Sequence, residues 1–147
     1  MATTATTRRP DTTTDGPDRR LDRFLRVLAA SLCLGVTYVH LDDQGFLAFS
    51  KTPTYMQVLY VVLEVAAVAT AVALLVRPLR IVWLAAVGLG VGPVFGYLLS
   101  RGPGLPQYSD DRGNWTEPLG LISLAIEVAL LVVALIGLTL AHRRRAR

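Results

Sequence analysis

Apolar residues gather in four long runs, 24–41, 55–76, 81–100 and 119–141, and polar residues are pushed to the ends and the stretches between them. Each run is close to the roughly 20 residues that a helix needs to cross about 30 Å of hydrocarbon. Together they leave almost nothing from which to build a water-soluble core. The pattern predicts an all-α membrane protein, four transmembrane helices in an antiparallel bundle, multi-pass in the plasma (cytoplasmic) membrane. The organisation that follows is an arm over 1–20, a transmembrane domain over 21–142 and a basic tail over 143–147. The arm is rich in Thr, Asp, Arg and Pro, buries too little apolar surface to fold, and is expected to be disordered.

Punctuation within the runs refines the picture. Thr52 and Pro53 read as an N-cap and first-turn proline for the second span, and Thr116, Glu117 and Pro118 repeat the device for the fourth. Trp115 and Tyr55 suit the head-group layer. Asn114-Trp115-Thr116 matches a glycosylation sequon, but beside a helix start it reads more simply as part of a turn. In the third span Pro93 lacks an N–H, so the Leu89 carbonyl loses its helical partner and a kink is expected at Gly92-Pro93. Gly88, Gly92 and Gly96, with Ser100, form a stripe with almost no side-chain volume, expected to let a neighbouring helix of the same chain pack closely; a seam between two copies is the alternative.

Charge sets the orientation. Arg8, Arg9, Arg19, Arg20, Arg23 and Arg26 in and after the arm, Arg77 and Arg80 between spans two and three, and Arg143, Arg144, Arg145 and Arg147 in the tail all fall on one side. The other side has only Lys51, Arg101 and Arg112, against Asp42, Asp43, Asp110, Asp111 and Glu117. Because Lys and Arg near span ends stay cytoplasmic during insertion, the N- and C-termini should both be cytoplasmic. The arginine pairs of the arm invite a twin-arginine signal reading, but the apolar run after them is long for a signal and has no small-x-small cleavage site, so a retained first span is expected. The basic tail flanks a span, without the folded basic surface and readers a nucleic-acid partner would need; no nucleic acid is expected.

The chemically informative residues are two carboxylates inside the spans. Glu64 lies eleven residues after Pro53 and Glu127 nine after Pro118, about 13 to 17 Å below the same boundary at 1.5 Å per residue. Gln57 and Tyr60 precede Glu64 by seven and four residues, and Gly120 and Ser123 precede Glu127 at the same offsets, so each glutamate belongs to a polar or small helical face expected to point into the bundle. The matching strings Leu63-Glu64-Val65-Ala66 and Ile126-Glu127-Val128-Ala129 hint at a duplicated hairpin. An ionised carboxylate at mid-bilayer costs at least about 2.5 to 3.5 kcal/mol. With no Arg, Lys or His expected at that depth, the protonated form should be favoured in at least one, with the Leu89 carbonyl as a suitable acceptor. The pair then reads either as hydrogen-bonding glue for a kinked bundle or as a proton or cation site.

Other constellations are weaker. His40, Asp42 and Asp43 cluster after the first span and offer nitrogen and oxygen ligands, but in no recognised metal spacing, so no metal is expected and these remain the candidates. Cys33 has no second cysteine to pair with, and His142, in the arginine tail, offers no second axial ligand at a depth usable for a bis-histidine haem. No Cys-x-x-Cys, phosphate-binding glycine loop or His-Glu-x-x-His is present, and the serines lack a positioned base. No cofactor and no enzymatic activity are expected.

The segment from Ser100-Arg101-Gly102 to Leu105-Pro106, then Gly113-Asn114-Trp115-Thr116-Glu117-Pro118-Leu119-Gly120 and Glu127, resembles small uncharacterised four-span integral membrane proteins of high-GC bacteria. The resemblance implies a four-helix membrane architecture and transfers no catalytic residue. The reading that results is a non-enzymatic integral membrane protein, an accessory or structural partner in the lipid bilayer, associating with itself as a homo-oligomer or with another membrane protein. Its alternatives are an oligomeric proton- or cation-coupled transporter or channel using the paired glutamates, and an outer-face metal or redox accessory using His40 and the nearby aspartates.

Overall fold

The structure is a computed structural model that describes residues 16–48 and 51–145. Four helices carry it: α1 (Pro17–Asp43), α2 (Thr54–Val76), α3 (Arg80–Arg101) and α4 (Pro118–Arg145), with a single 3₁₀ turn, Phe46–Ala48, after α1. All four are long and apolar enough to cross a membrane. The chain is therefore a multi-pass, all-helical membrane protein, and with four antiparallel passes the ends of α1 and α4 that carry the termini share one end of the bundle. The longer connections, 44–53 and 102–117, share the other.

The helix ends follow local chemistry, though not always where the runs stop. α1 starts at Pro17, with Pro at the first helical position and Asp18 in the first turn, where an acid complements the helix dipole. Residues 17–20 of the expected disordered arm are thus helical, and 1–15 lie outside the described residues. α2 begins at Thr54 with Pro53 at the cap position and no side-chain cap, so the expected Thr52 cap is displaced by one residue. Pro118 opens α4 as expected. α3 is assigned as helix throughout with Pro93 inside it.

The half of the bundle nearest the termini is solidly packed. Leu25, Ala29, Cys33, Leu74, Trp83, Ala86, Leu130 and Ala134 are buried in one cluster from all four helices. Two glycines set its spacing. A Cβ on Gly90 of α3 would lie 2.8 Å from Leu131 Cβ and 3.0 Å from both the Glu127 carbonyl oxygen and the Leu131 nitrogen, so the α3 and α4 backbones meet there. On α4, a Cβ on Gly137 would fall 2.4 Å from the Trp83 ring, which fills the place of that missing side chain. Lipid-facing positions such as Phe24, Val62, Val65, Ile81 and Phe95 are exposed and apolar, as the hydrocarbon demands.

The anticipated stripe behaves differently. A Cβ on Gly88, Gly92 or Gly96 would meet nothing within 4 Å, because α2, the helix on that side, makes only sparse contact with α3. Close packing within the chain falls to other glycines, Gly90 and Gly137 among them, and the Gly88–Gly92–Gly96 face borders open space. In a helix, two residues of offset turn a position to nearly the opposite side, and this separates Gly90 from Gly92.

Candidate functional site

The end of α1 places the polar side chains. Helical geometry continues past Leu41 to Asp43, the Gln44 N–H donates to the His40 carbonyl at 3.1 Å, and Gly45, at φ 74°, turns the chain. This keeps Val36, His40 and Gln44, four residues apart, on one face. Gln44 Nε2 donates to Glu64 Oε1 at 2.7 Å, both residues buried. Glu64 is ten residues beyond Thr54, about 15 Å along α2. The first helix therefore stops well below the level at which the second begins, and its polar end is drawn into the bundle.

Around that end a connected set of side chains forms. His40 Nδ1 lies 2.9 Å from the Val36 carbonyl, and since a carbonyl only accepts, Nδ1 carries the proton. Nε2 faces Glu127, 3.9 Å from its Oε1, while the Ser123 hydroxyl donates to the same oxygen at 2.6 Å. The Tyr60 hydroxyl donates to Asp43 Oδ2. Lys51 Nζ is 2.8 Å from that aspartate oxygen and 5.4 Å from the Tyr60 ring centroid. The His40 and Tyr60 rings meet edge to face with centroids 5.0 Å apart.

Beside this set lies a cavity of about 520 Å³ that runs from the loop end of the bundle to Ala66 and Gly88 near its middle. Its deepest polar groups are His40, Ser123 and Glu127; its walls include Leu63 of α2 and the Gly88–Gly92–Gly96 face of α3; its upper end is Arg101 with Asp111 and Glu117. Pro93 also lines it, whereas Glu64 and the half-buried Gln57 are not among the lining residues.

Arg101 organises the upper end. Its Nη1 is 3.2 Å from Asp111 Oδ2 and 3.0 Å from Ser100 Oγ, and its Nη2 is 2.5 Å from Glu117 Oε2. The guanidinium lies over the Tyr97 ring, 4.3 Å from its centroid. The Arg101 carbonyl accepts from the Gly113 N–H at 2.8 Å, and the Tyr108 hydroxyl donates to Asp111 Oδ2 at 2.9 Å. Burial, reinforced by that aspartate, pushes the Tyr108 hydroxyl above the ordinary tyrosine range. Tyr97 also donates to the Trp115 carbonyl at 2.8 Å, and Tyr55 to the Pro106 carbonyl at 2.5 Å, so the 102–117 loop is tied down from α2 and α3 together.

Several expectations change. The premise that no cation-forming side chain reaches the depth of the glutamates fails, because α1 ends deep and carries His40 to Glu127. The two glutamates take separate partners on α1, Glu64 with Gln44 and Glu127 with His40, and Glu127 also bonds Ser123. These are the bonds that occupy them, in place of the Leu89 carbonyl. His40, Asp42 and Asp43 do not converge as ligands: Asp43 is committed to Tyr60 and Lys51, and Asp42 is exposed. Among the described residues no group of three His, Cys, Asp or Glu side chains comes together to hold a metal. Gln44 and Arg101 are residues of this candidate site that hydropathy passed over. The four-residue spacing of His40 and Gln44 was the available signal for the first, and Arg101 was legible only as one of three cations on its side.

No known family, curated protein or solved structure matches the chain.

Proposed function

We propose that this protein is a non-enzymatic integral membrane protein that works by binding on one side of the bilayer, as an accessory or structural partner. The observation that carries this reading is the shape of the interior. The polar lining ends at His40, Ser123 and Glu127, only Ala66 and Gly88 line the cavity deeper, and beyond them lie Cys33, Leu74, Trp83, Leu130 and Ala134, close-packed and apolar. A hydrated or charged substrate continuing toward the other face would have to cross that plug, and a charge in such a medium costs several kcal/mol or more. The loop half is assigned to the extracytoplasmic side, since twelve of the fifteen Lys and Arg residues flank the opposite end.

Purified protein in proteoliposomes with an imposed pH gradient tests this directly. The expected result is proton and cation flux no greater than in protein-free vesicles, unchanged by Glu64→Gln or Glu127→Gln. Flux that either substitution abolishes would replace the binding reading with a coupled transporter.

A further inference from the structure

Resting on that reading of a one-sided binding cavity, we infer that the cavity takes a hydrophobic primary amine in its ammonium form, held between Glu127 and His40. The deep end presents acceptors. In the neutral ring, His40 Nε2 offers a lone pair, because Nδ1 is committed to the Val36 carbonyl. Glu127 offers its carboxyl group, whose partners among the described residues are Ser123 and His40. The 3.9 Å between Nε2 and Oε1 is too long for a direct hydrogen bond, yet one ammonium nitrogen placed about 2.8 Å from each atom bridges that separation.

Charge selects the same ligand. Four carboxyl side chains line the cavity, Asp43, Asp111, Glu117 and Glu127, against the single guanidinium of Arg101. Arg101 is paired with Asp111 through Nη1 and with Glu117 through Nη2, its Nε being left without a partner among the described residues, and Lys51 is paired with Asp43. Among the described residues Glu127 is the one of these four carboxyls with no arginine or lysine beside it, 2 % exposed, on the deep part of the cavity wall. Among the described residues an anion finds no cation there that is not already paired with a carboxylate, and a neutral apolar molecule leaves both acceptors unserved. The body of the amine lies against Leu63 and the face of Gly88, Gly92 and Gly96, where an added Cβ would meet nothing within 4 Å. The nearby Tyr60 ring adds an aromatic surface of the kind that attracts cations.

Three probes with one apolar body separate the contributions: 1-adamantylamine, 1-adamantanol and adamantane-1-carboxylate, titrated calorimetrically into the full-length protein in detergent micelles with protein-free micelles subtracted. The expected result is saturable binding of the amine, at least about tenfold tighter than the alcohol, and none of the carboxylate. Glu127→Gln is expected to weaken the amine at least about tenfold, while Asp110→Asn, the same charge change on an exposed loop position, leaves it unaltered. Gly92→Leu fills the cavity with Glu127 in place and is expected to abolish binding. Should Glu127→Gln not give monodisperse protein, the nitrogen resonance of the His40 ring in the parent decides, since it moves on amine addition only when the amine reaches it.

Failure of the inference is distinguishable from failure of the function on which it rests. Alcohol or carboxylate binding as tightly as the amine, and blocked by Gly92→Leu, would overturn the ammonium preference while the binding cavity stands. Absence of binding by all three, or amine binding indifferent to Gly92→Leu, would overturn the site itself. Passage of the amine across proteoliposomes, abolished by Glu127→Gln, would overturn one-sidedness and sustain the ammonium contact.

Discussion

The two halves of this bundle use the same four helices to opposite ends. Toward the termini, Trp83 sits where Gly137 lacks a side chain and Gly90 lets α4 approach, so the interior is filled. From Gly88 near the middle of α3 through Gly92 and Gly96 toward the loops, the other face of the same helix borders space that no side chain occupies, and polar groups from α1, α2 and α4 line its loop end. In lipid, where apolar residues gain little by leaving the hydrocarbon, close packing and interhelical hydrogen bonds must hold the helices together. One half relies on the first and the other on the second. The hollow is then a region in which dispersion contacts have been given up and Gln44–Glu64, Ser123–Glu127 and the Arg101 fork maintain the helix positions.

Substitutions on two glycines of one helix break the comparison most sharply. Gly90→Leu drives atoms into the α4 backbone and Leu131 Cβ, neither of which can swing aside, and is expected to cost about 3 kcal/mol or more. Gly92→Leu, two residues away, should alter stability by no more than about 0.5 kcal/mol. Denaturation of the two variants by sodium dodecyl sulfate in mixed micelles measures the difference, and equal losses would show that both faces are packed.

A smaller effect is expected at the upper end of the cavity. Arg101→Ala removes the cation between Asp111 and Glu117, whose side chains are 26 % and 32 % exposed. Solvent therefore screens part of the loss, and about 2 kcal/mol is expected. Limited proteolysis should find the 102–117 loop more readily cut, and Arg101→Lys should restore only part of the protection, because an ammonium cannot span two carboxylates as a planar guanidinium does. Unchanged cleavage would mean that the tyrosine bonds alone order the loop.

The smallest effects test the hydrogen-bonded half at its deepest pair. Glu64→Leu leaves the buried Gln44 amide without its Glu64 acceptor and should cost about 1 to 2 kcal/mol. Glu64→Gln keeps a carbonyl oxygen for the same N–H and should cost less than about 0.5 kcal/mol. The same denaturation assay separates them. Equal losses would make the contribution of Glu64 one of charge and not of hydrogen bonding.

Much of the architecture was legible in the residues themselves. Four runs near twenty apolar residues in length admit few structures other than four crossing helices, since each backbone polar group in hydrocarbon must be satisfied within its own segment. An even number of passes places the termini together, and Pro118 marks a helix start because its missing N–H is unneeded there. The inward stripe of Tyr60 and Glu64, and that of Ser123 and Glu127, also follow from helical period alone. The partners of those glutamates did not follow. Counting depth from span ends assumes that all helices end level, whereas α1 stops below the start of α2, its last residue Asp43 bonded to Tyr60, and brings His40 and Gln44 within reach of the two glutamates. Nor could the sequence tell which glycine meets a helix and which meets a void, because Gly90 and Gly92 are identical in composition and differ only in what stands opposite. Transfer from water to lipid is a sum over one segment at a time, so the chain alone determines that it crosses. Where each helix stops, and whether a face is filled or hollow, depends on the mutual fit of several segments, and only the assembled structure decides that.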